Sequence, residues 1–333
     1  MAILENRITL SLEELEEQLG EKRLPQFIEN TETAFVQRTE QIADFIEKHP
    51  LVRAVFVSGP TSSGKTTFTD RLVASLEARG RHALRLSLDD YYNVSDLRFD
   101  KDGRPDYEAI DTIDTKLASL NLKSLLAGAP TFLPEFDFAS RLRKPNSSRQ
   151  TRLHDEGFVL VEGLHGLSHE IFGSIPRENR IGIFIMPWGE VVADRRLIET
   201  QEIRLLRRII RDVRHRGAHA LATIDYWPMI ASSEQLYFSE YLAEADYYVN
   251  SFLTYESMVV APLALADLRE ALDLYDRDDL PPSVFLAKFS THKEFADLPR
   301  ALAWARQLSF DLARIPAISK AVVPPRSILN EFI

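Results

Sequence analysis

The first fifty residues mix charged and apolar positions at helical spacing. Ser11-Leu12-Glu13-Glu14 has the form of a capping box, a hydroxyl at the cap and a carboxylate three residues on, and Gly20 is a stop signal. Across residues 31–48, Phe35, Ile42, Phe45 and Ile46 recur at roughly helical intervals before Pro50, so residues 1–49 are expected to be helical. From residue 51 the pattern changes. Short β-rich runs at 53–58, 82–88, 158–161, 181–186 and 247–249 alternate with helical patterns, one ending near Arg79-Gly80 and others at 114–127, 200–216, 234–245 and 255–273. The run Phe158–Val161 is apolar throughout, as a strand buried on both faces must be. This alternation predicts an α/β fold, a parallel sheet flanked by helices. Between 128 and 154, PTFLPEFDF and RQTRLHD read as a small β-hairpin inserted at the sheet edge. Beyond 276, Pro281-Pro282, Pro316 and Pro324-Pro325 break the chain into short helical pieces. The expected organisation is a helical extension over 1–50, a main domain over 51–275 and a second helical extension, packed on it, over 276–333.

Composition narrows the field. The 333 residues are 45% hydrophobic and 27% charged, ordinary for a globular chain, and no run is long enough to span a membrane. The acidic N-terminus is unlike a signal peptide, so a cytoplasmic protein is expected. Zero cysteines exclude disulfides, thiolate metal sites and thiol nucleophiles. A formal net charge of −10 argues against a nucleic-acid partner, so any anion site must be built locally. The sequence leaves a homo-oligomer open.

One such site is legible. Gly59-Pro60-Thr61-Ser62-Ser63-Gly64-Lys65-Thr66, followed by Thr67, fits G-x-x-x-x-G-K-[ST] in full, with a strand before it and a helix after it. Glycines let the backbone turn tightly so that successive amides point at phosphate oxygens, at a helix N-terminus that favours negative charge. Lys65 is placed to reach the β- and γ-phosphates and the Thr66 hydroxyl to ligate Mg²⁺. The expected ligand is a nucleoside triphosphate, ATP with Mg²⁺.

Three clusters bear on what happens to the phosphate. Ser87-Leu88-Asp89-Asp90-Tyr91-Tyr92 follows a strand, where a carboxylate either accepts a proton from an attacking hydroxyl or caps the next segment. The strand Phe158–Val161 ends in Glu162, a Walker-B-like position for a Mg²⁺ ligand. In the helix over 200–216, Arg204, Arg207, Arg208 and Arg211 share a face beside the apolar face of Ile203, Leu206, Ile210 and Val213. That face reads as a basic surface or, beside a triphosphate site, as an arginine-rich lid whose charges a bound anion neutralises. His165 and His169 lack a third ligand nearby and are expected to pack rather than bind metal.

In this order GPTSSGKTT, SLDDYY, PEFDF with Arg143, VLVEGLHGL and RLLRRIIRDVRHRG resemble the uridine kinase and phosphoribulokinase family of P-loop kinases, over about residues 51–273. The stretches TIDYWP, ADYYVNSFLTYE and SILNEFI are similar to bacterial uridine-kinase-like proteins in which the kinase follows a threonyl-tRNA-synthetase-like region; this chain is too short at its N-terminus to carry that region. The resemblance implies Asp89 as the catalytic aspartate acting on a nucleoside 5′-hydroxyl. It implies Tyr92, Asp106, Phe136 and Arg143 near the ribose and base, Thr66 and Glu162 at the metal, and Arg204 and Arg207 in the lid. Two departures stand out. Arg141 occupies the position of a pyrimidine-reading histidine, and Met229-Ile230-Ala231-Ser232-Ser233-Glu234 lacks the basic residue and glycine that relatives carry before the glutamate. The acceptor expected is a small molecule, a nucleoside first. A sugar phosphate or pantothenate, or a non-catalytic ATP-binding module, stays open.

Overall fold

The computed structural model describes residues 5–93, 97–137, 142–144, 150–286 and 293–333. In chain order the elements are β1 (Ile8–Ser11), α1 (Leu12–Glu17), α2 (Arg23–Glu47), β2 (Ala54–Ser58), α3 (Lys65–Ala78), β3 (Ala83–Ser87), α4 (Thr115–Leu126), β4 (Thr131–Phe132), β5 (Glu135–Asp137), β6 (Leu142–Lys144), β7 (Gln150–Thr151), β8 (Phe158–Glu162), α5 (His169–Phe172), β9 (Arg180–Met186), β10 (Gly189–Val192), β11 (Arg196–Glu199), α6 (Thr200–His215), α7 (Ala220–Glu244), β12 (Tyr247–Asn250), α8 (Glu256–Asp276) and α9 (Leu298–Leu312).

The main sheet has five strands in the order β12-β9-β2-β8-β3, and every pairing is parallel. β2 and β8 are buried at every position, which fits their central places and their apolar runs, ended only by Ser58 and Glu162. Their neighbours bring three chain segments to the same sheet edge. The loop after β2, the last residue of β8 and the turn after β3 emerge side by side at the C-terminal ends of the strands, where open α/β sheets bind ligands. The expected hairpin insertion is present as two short antiparallel pairs, β4 with β7 and β5 with β6. No helix among the described residues is long and apolar enough to cross a membrane.

The capping box forms as read. Ser11 Oγ accepts the Glu14 amide at 3.1 Å and Glu14 Oε2 accepts the Ser11 amide at 2.7 Å. Just before it, the expected helix over the N-terminal residues gives way to a strand. β1 pairs in parallel with β10, and β10 with β11, in a three-stranded sheet that local periodicity does not reveal. The second difference is α7, expected from 234, which begins at Ala220 and runs through Pro228. Burial of Leu221, Ile224 and Trp227 on its first turns outweighs the hydrogen bond that the proline removes.

Both terminal segments share the core of the main domain. Ile28, Phe35 and Ile46 of α2 and Leu302 and Leu308 of α9 join one cluster with Val55 and Val57 of β2. The chain then returns from α9 to the start of α3, with Ile328, Leu329 and Phe332 fully buried. Phe332→Ala is expected to cost about 3–5 kcal/mol, the range for emptying a buried aromatic site; a shifted denaturant midpoint at unchanged slope checks it.

Candidate active site

The phosphate loop leaves β2 at Gly59, and close backbone approach explains the glycine. A Cβ there would lie 2.1 Å from the carbonyl oxygen of Ile185. Ser62 adopts φ 57° and Gly64 φ 87°, left-handed conformations that turn the chain into α3. The hydroxyls of Ser62 and Ser63 are buried without a hydrogen-bond partner, and Lys65 Nζ donates to the carbonyl of Pro60 at 2.8 Å across its own loop. Buried, unsatisfied donors are costly unless a ligand completes them, so the loop fits a phosphate chain. Thr66 lies on the first turn of α3 beside Lys65.

The loop is held from its outer side. Arg204 Nε donates to Thr61 O at 3.0 Å, and its Nη2 donates to Glu234 Oε1 at 2.6 Å. Glu234 Oε1 also accepts the Thr61 amide at 2.7 Å, so one ion pair grips both backbone groups of Thr61. Arg207 Nη1 donates to Ser62 O at 3.2 Å while its Nε and Nη2 form a fork with Glu256 at 2.9 and 2.7 Å. Ser251 Oγ donates to Ser63 O at 2.6 Å, and Arg208 Nη1 to Thr61 Oγ1 at 2.8 Å. With these carbonyls and the Thr61 amide engaged from the outer side, the remaining loop amides are left for the cradle.

The expectation that a bound anion neutralises the arginine face is therefore corrected. Arg204, Arg207 and Arg208 are buried, and Glu234, Glu256 and Asp212 supply the negative charge from within the protein. The reason is tertiary. The acids lie on α7, on α8 and in α6 itself, and packing of α6 against both helices brings them to the guanidinium groups.

Asp89 stands on a short helical turn after β3, and Glu162 ends β8 in register with Val57 of β2 and Ser87 of β3. Glu162 is buried, accepts the Ser87 hydroxyl at 2.7 Å, and has its pKa pushed up to about 7, first by burial and then by the negative charge of Asp89. Asp89 opens to the cleft on one side. Surrounding protein still raises its pKa by loss of hydration, opposed by Lys65 and then Arg216. Lys65 thus acts on both carboxylates, and Asp89 on Glu162. The Asp89 carboxylate adds to the upward shift of Glu162, and a cation held at Glu162 would relieve it. Among the described residues no cluster of three or more His, Cys, Asp or Glu side chains forms a metal cage.

Of the residues expected near the ribose and base, Tyr92 packs against Phe136 with ring centroids 5.4 Å apart. Asp106 is buried and accepts the Glu108 amide at 3.0 Å. Arg143, opposite Phe136 in the hairpin, donates to Asp114 at 3.0 Å on the rim. Arg141 lies outside the described residues. Two cleft residues were missed by the sequence reading. Glu108 meets Arg208 at 3.4 Å and adds negative charge near Asp89 and Tyr92. Arg216, in the stretch RHRG, lies near enough to lower the Asp89 pKa, and its own is pushed down to about 10 by burial and by Arg211. The only local signal for Arg216 was that basic stretch, while Glu108 had none. His165 packs as expected, 2.6 Å from the Tyr241 hydroxyl and 2.8 Å from the Glu108 carbonyl.

The model of the phosphoribulokinase / uridine kinase family matches residues 54–255, from β2 to the start of α8. The chain belongs to that family. Similar curated proteins include a uridine kinase of Deinococcus deserti, 29% identical over 162 residues, or 48% of this chain and 69% of that protein. A uridine kinase of Halobacterium salinarum is 26% identical over 175 residues, 52% of this chain and 68% of that protein. A solved structure described as a possible uridine kinase from Bacillus stearothermophilus aligns with 60% of this chain and 88% of its own at 17% identity and a TM-score of 0.40, too loose a likeness to carry argument. The family match includes every loop, cleft and arginine-helix residue described above.

Two predictions follow from this geometry. Glu256→Ala leaves Arg207 charged and fully buried without its fork, and is expected to cost about 3–5 kcal/mol of stability; denaturant unfolding measures it. For Glu162, a pKa raised from 4.5 to about 7 means that the native state binds the extra proton within that window. Its contribution to stability is therefore present at the acid end and is lost as pH rises through about 7. Glu162→Gln is expected to flatten this loss relative to the unaltered protein in thermal unfolding across the window, and Mg²⁺ affinity should weaken below pH 7 only where Glu162 is intact.

Proposed function

We propose that the protein is an ATP-dependent kinase that transfers the γ-phosphoryl group to a hydroxyl of an uncharged polyhydroxy acceptor, a nucleoside 5′-hydroxyl before others. The carrying observation is geometric: the loop after β2 that bears Lys65, Glu162 at the end of β8 and Asp89 just after β3 emerge from three adjacent strands at one sheet edge. In this reading the loop amides, the Ser62 and Ser63 hydroxyls and Lys65 bind the phosphates. Thr66 and Glu162 hold Mg²⁺, which when bound offsets charge on the phosphate oxygens. Asp89 accepts the proton of the attacking hydroxyl, and its raised pKa brings it nearer the working pH of a general base. Arg204 and Arg207 act indirectly by fixing the loop, and Arg216 is the cationic group beside Asp89.

The acceptor side favours a neutral substrate over a sugar phosphate. Asp89, Asp106 and Glu108 line it with carboxylates, while Arg143 is engaged by Asp114. Tyr92 and Phe136 offer aromatic surface to a base. A non-catalytic ATP-binding module is supported by one feature: Met229 and Ile230 are buried apolar residues where the family resemblance implies a basic one.

Incubation with Mg-ATP and a panel of nucleosides, pantothenate and sugar phosphates, followed by ADP release, tests these readings. Nucleoside-dependent turnover is expected. Asp89→Asn should lower turnover by about 10²–10⁴-fold with ATP affinity retained, the usual worth of a positioned general base. ATP binding without turnover on any acceptor would transfer support to the module.

A further inference from the structure

Glu331 lies against the first turn of α3, directly after the phosphate loop. Its Oε2 accepts both the backbone amide of Thr67, at 3.2 Å, and the Thr67 hydroxyl, at 2.9 Å. Thr67 is the third residue of α3, so its amide is one of the helix's orphan donors and sits at the positive end of the dipole. In a phosphate loop the lysine and the following hydroxyl serve the terminal phosphates and Mg²⁺. The next donors along the chain, those of Thr67, therefore fall toward the phosphate nearest the nucleoside. A carboxylate of this chain already occupies them.

The segment carrying Glu331 is firmly seated. Ile328 packs on the α-carbon side of Gly64, where an added Cβ would come within 2.3 Å of its Cδ1. Phe332 is buried, with the Arg207 guanidinium 5.0 Å from its ring centre, and Ser327 Oγ lies 3.2 Å from the Tyr255 hydroxyl. Backbone displacement would uncover Ile328, Leu329 and Phe332 together, whereas Glu331 itself is only half-buried and turns by side-chain rotation.

We propose that Glu331 is a built-in competitor for the innermost phosphate of the nucleotide, a residue that sets nucleotide affinity by having to leave Thr67 before the phosphate can seat. The proposal rests on the phosphate-loop reading above. An incoming phosphate makes the same two bonds as the carboxylate, so much of its interaction with Thr67 is exchanged rather than gained. Once turned away, the carboxylate remains close to the phosphate and repels it.

The test is calorimetric titration of Mg-ADP, which binds without turnover, into the full-length chain, Glu331→Ala, Glu331→Gln and Lys65→Ala. Glu331→Ala is expected to bind about tenfold more tightly than the unaltered protein, as removal of a charge-assisted competitor predicts. Glu331→Gln keeps the shape but not the charge and should fall between them. Thermal unfolding without nucleotide should show Glu331→Ala somewhat less stable, since Thr67 loses its cap, and this confirms that the variant folds. Equal or weaker binding by the folded Glu331 variants overturns the proposal while leaving the loop assignment intact if Lys65→Ala still weakens binding. Binding by none of the proteins overturns both.

Discussion

The buried contact between the arginine helix and the outer side of the phosphate loop is the constraint on which the site depends. A loop that turns successive amides toward a phosphate leaves carbonyls on its far side. Arg204 and Arg207 meet those carbonyls, and Glu234 and Glu256 make the guanidinium groups tolerable in the interior. Buried ion pairs are weak devices for stability, because desolvation cancels most of their attraction. Here their return is geometric. Thr61 is fixed through both its amide and its carbonyl, so the cradle is shaped before any ligand arrives.

The same arrangement organises the charges across the cleft. On one side are a lysine and a helix start that favour anions. On the other lie Asp89, Glu108 and Glu162, and loss of hydration first, with neighbouring carboxylates adding to it, pushes the pKa values of Asp89 and Glu162 up. A site with separated positive and negative halves suits two ligands of unlike charge, a polyphosphate with its cation and a neutral alcohol between them.

Much of this was legible in the sequence where the signal is local. The loop, its flanking strand and helix, the apolar run ending in Glu162, and the Ser11–Glu14 cap each reside within a few neighbouring residues, and each stands where it was read. What escaped depends on distant partners. β1, β10 and β11 are four residues each and acquire meaning only by pairing. The start of α7 was hidden by Pro228, since a proline argues against a helix unless burial is known. The arginine face was read correctly as a face, yet its partners on α7 and α8 lie 30 and 49 residues away, and Glu331 lies 264 residues from Thr67. No periodicity carries such information.

The pairing of β1 with β10 has a bearing on how the molecule is made. Thr9 and Glu190 meet across 181 positions of chain, so the first strand has no partner until β9 and β10 have been synthesised and set beside it. Non-local pairing of this kind is slow because the entropy of closing the intervening loop is lost before contacts repay it. The pairing of β1 thus requires that the chain through Val192 already exist, a dependence set by topology and not by local sequence.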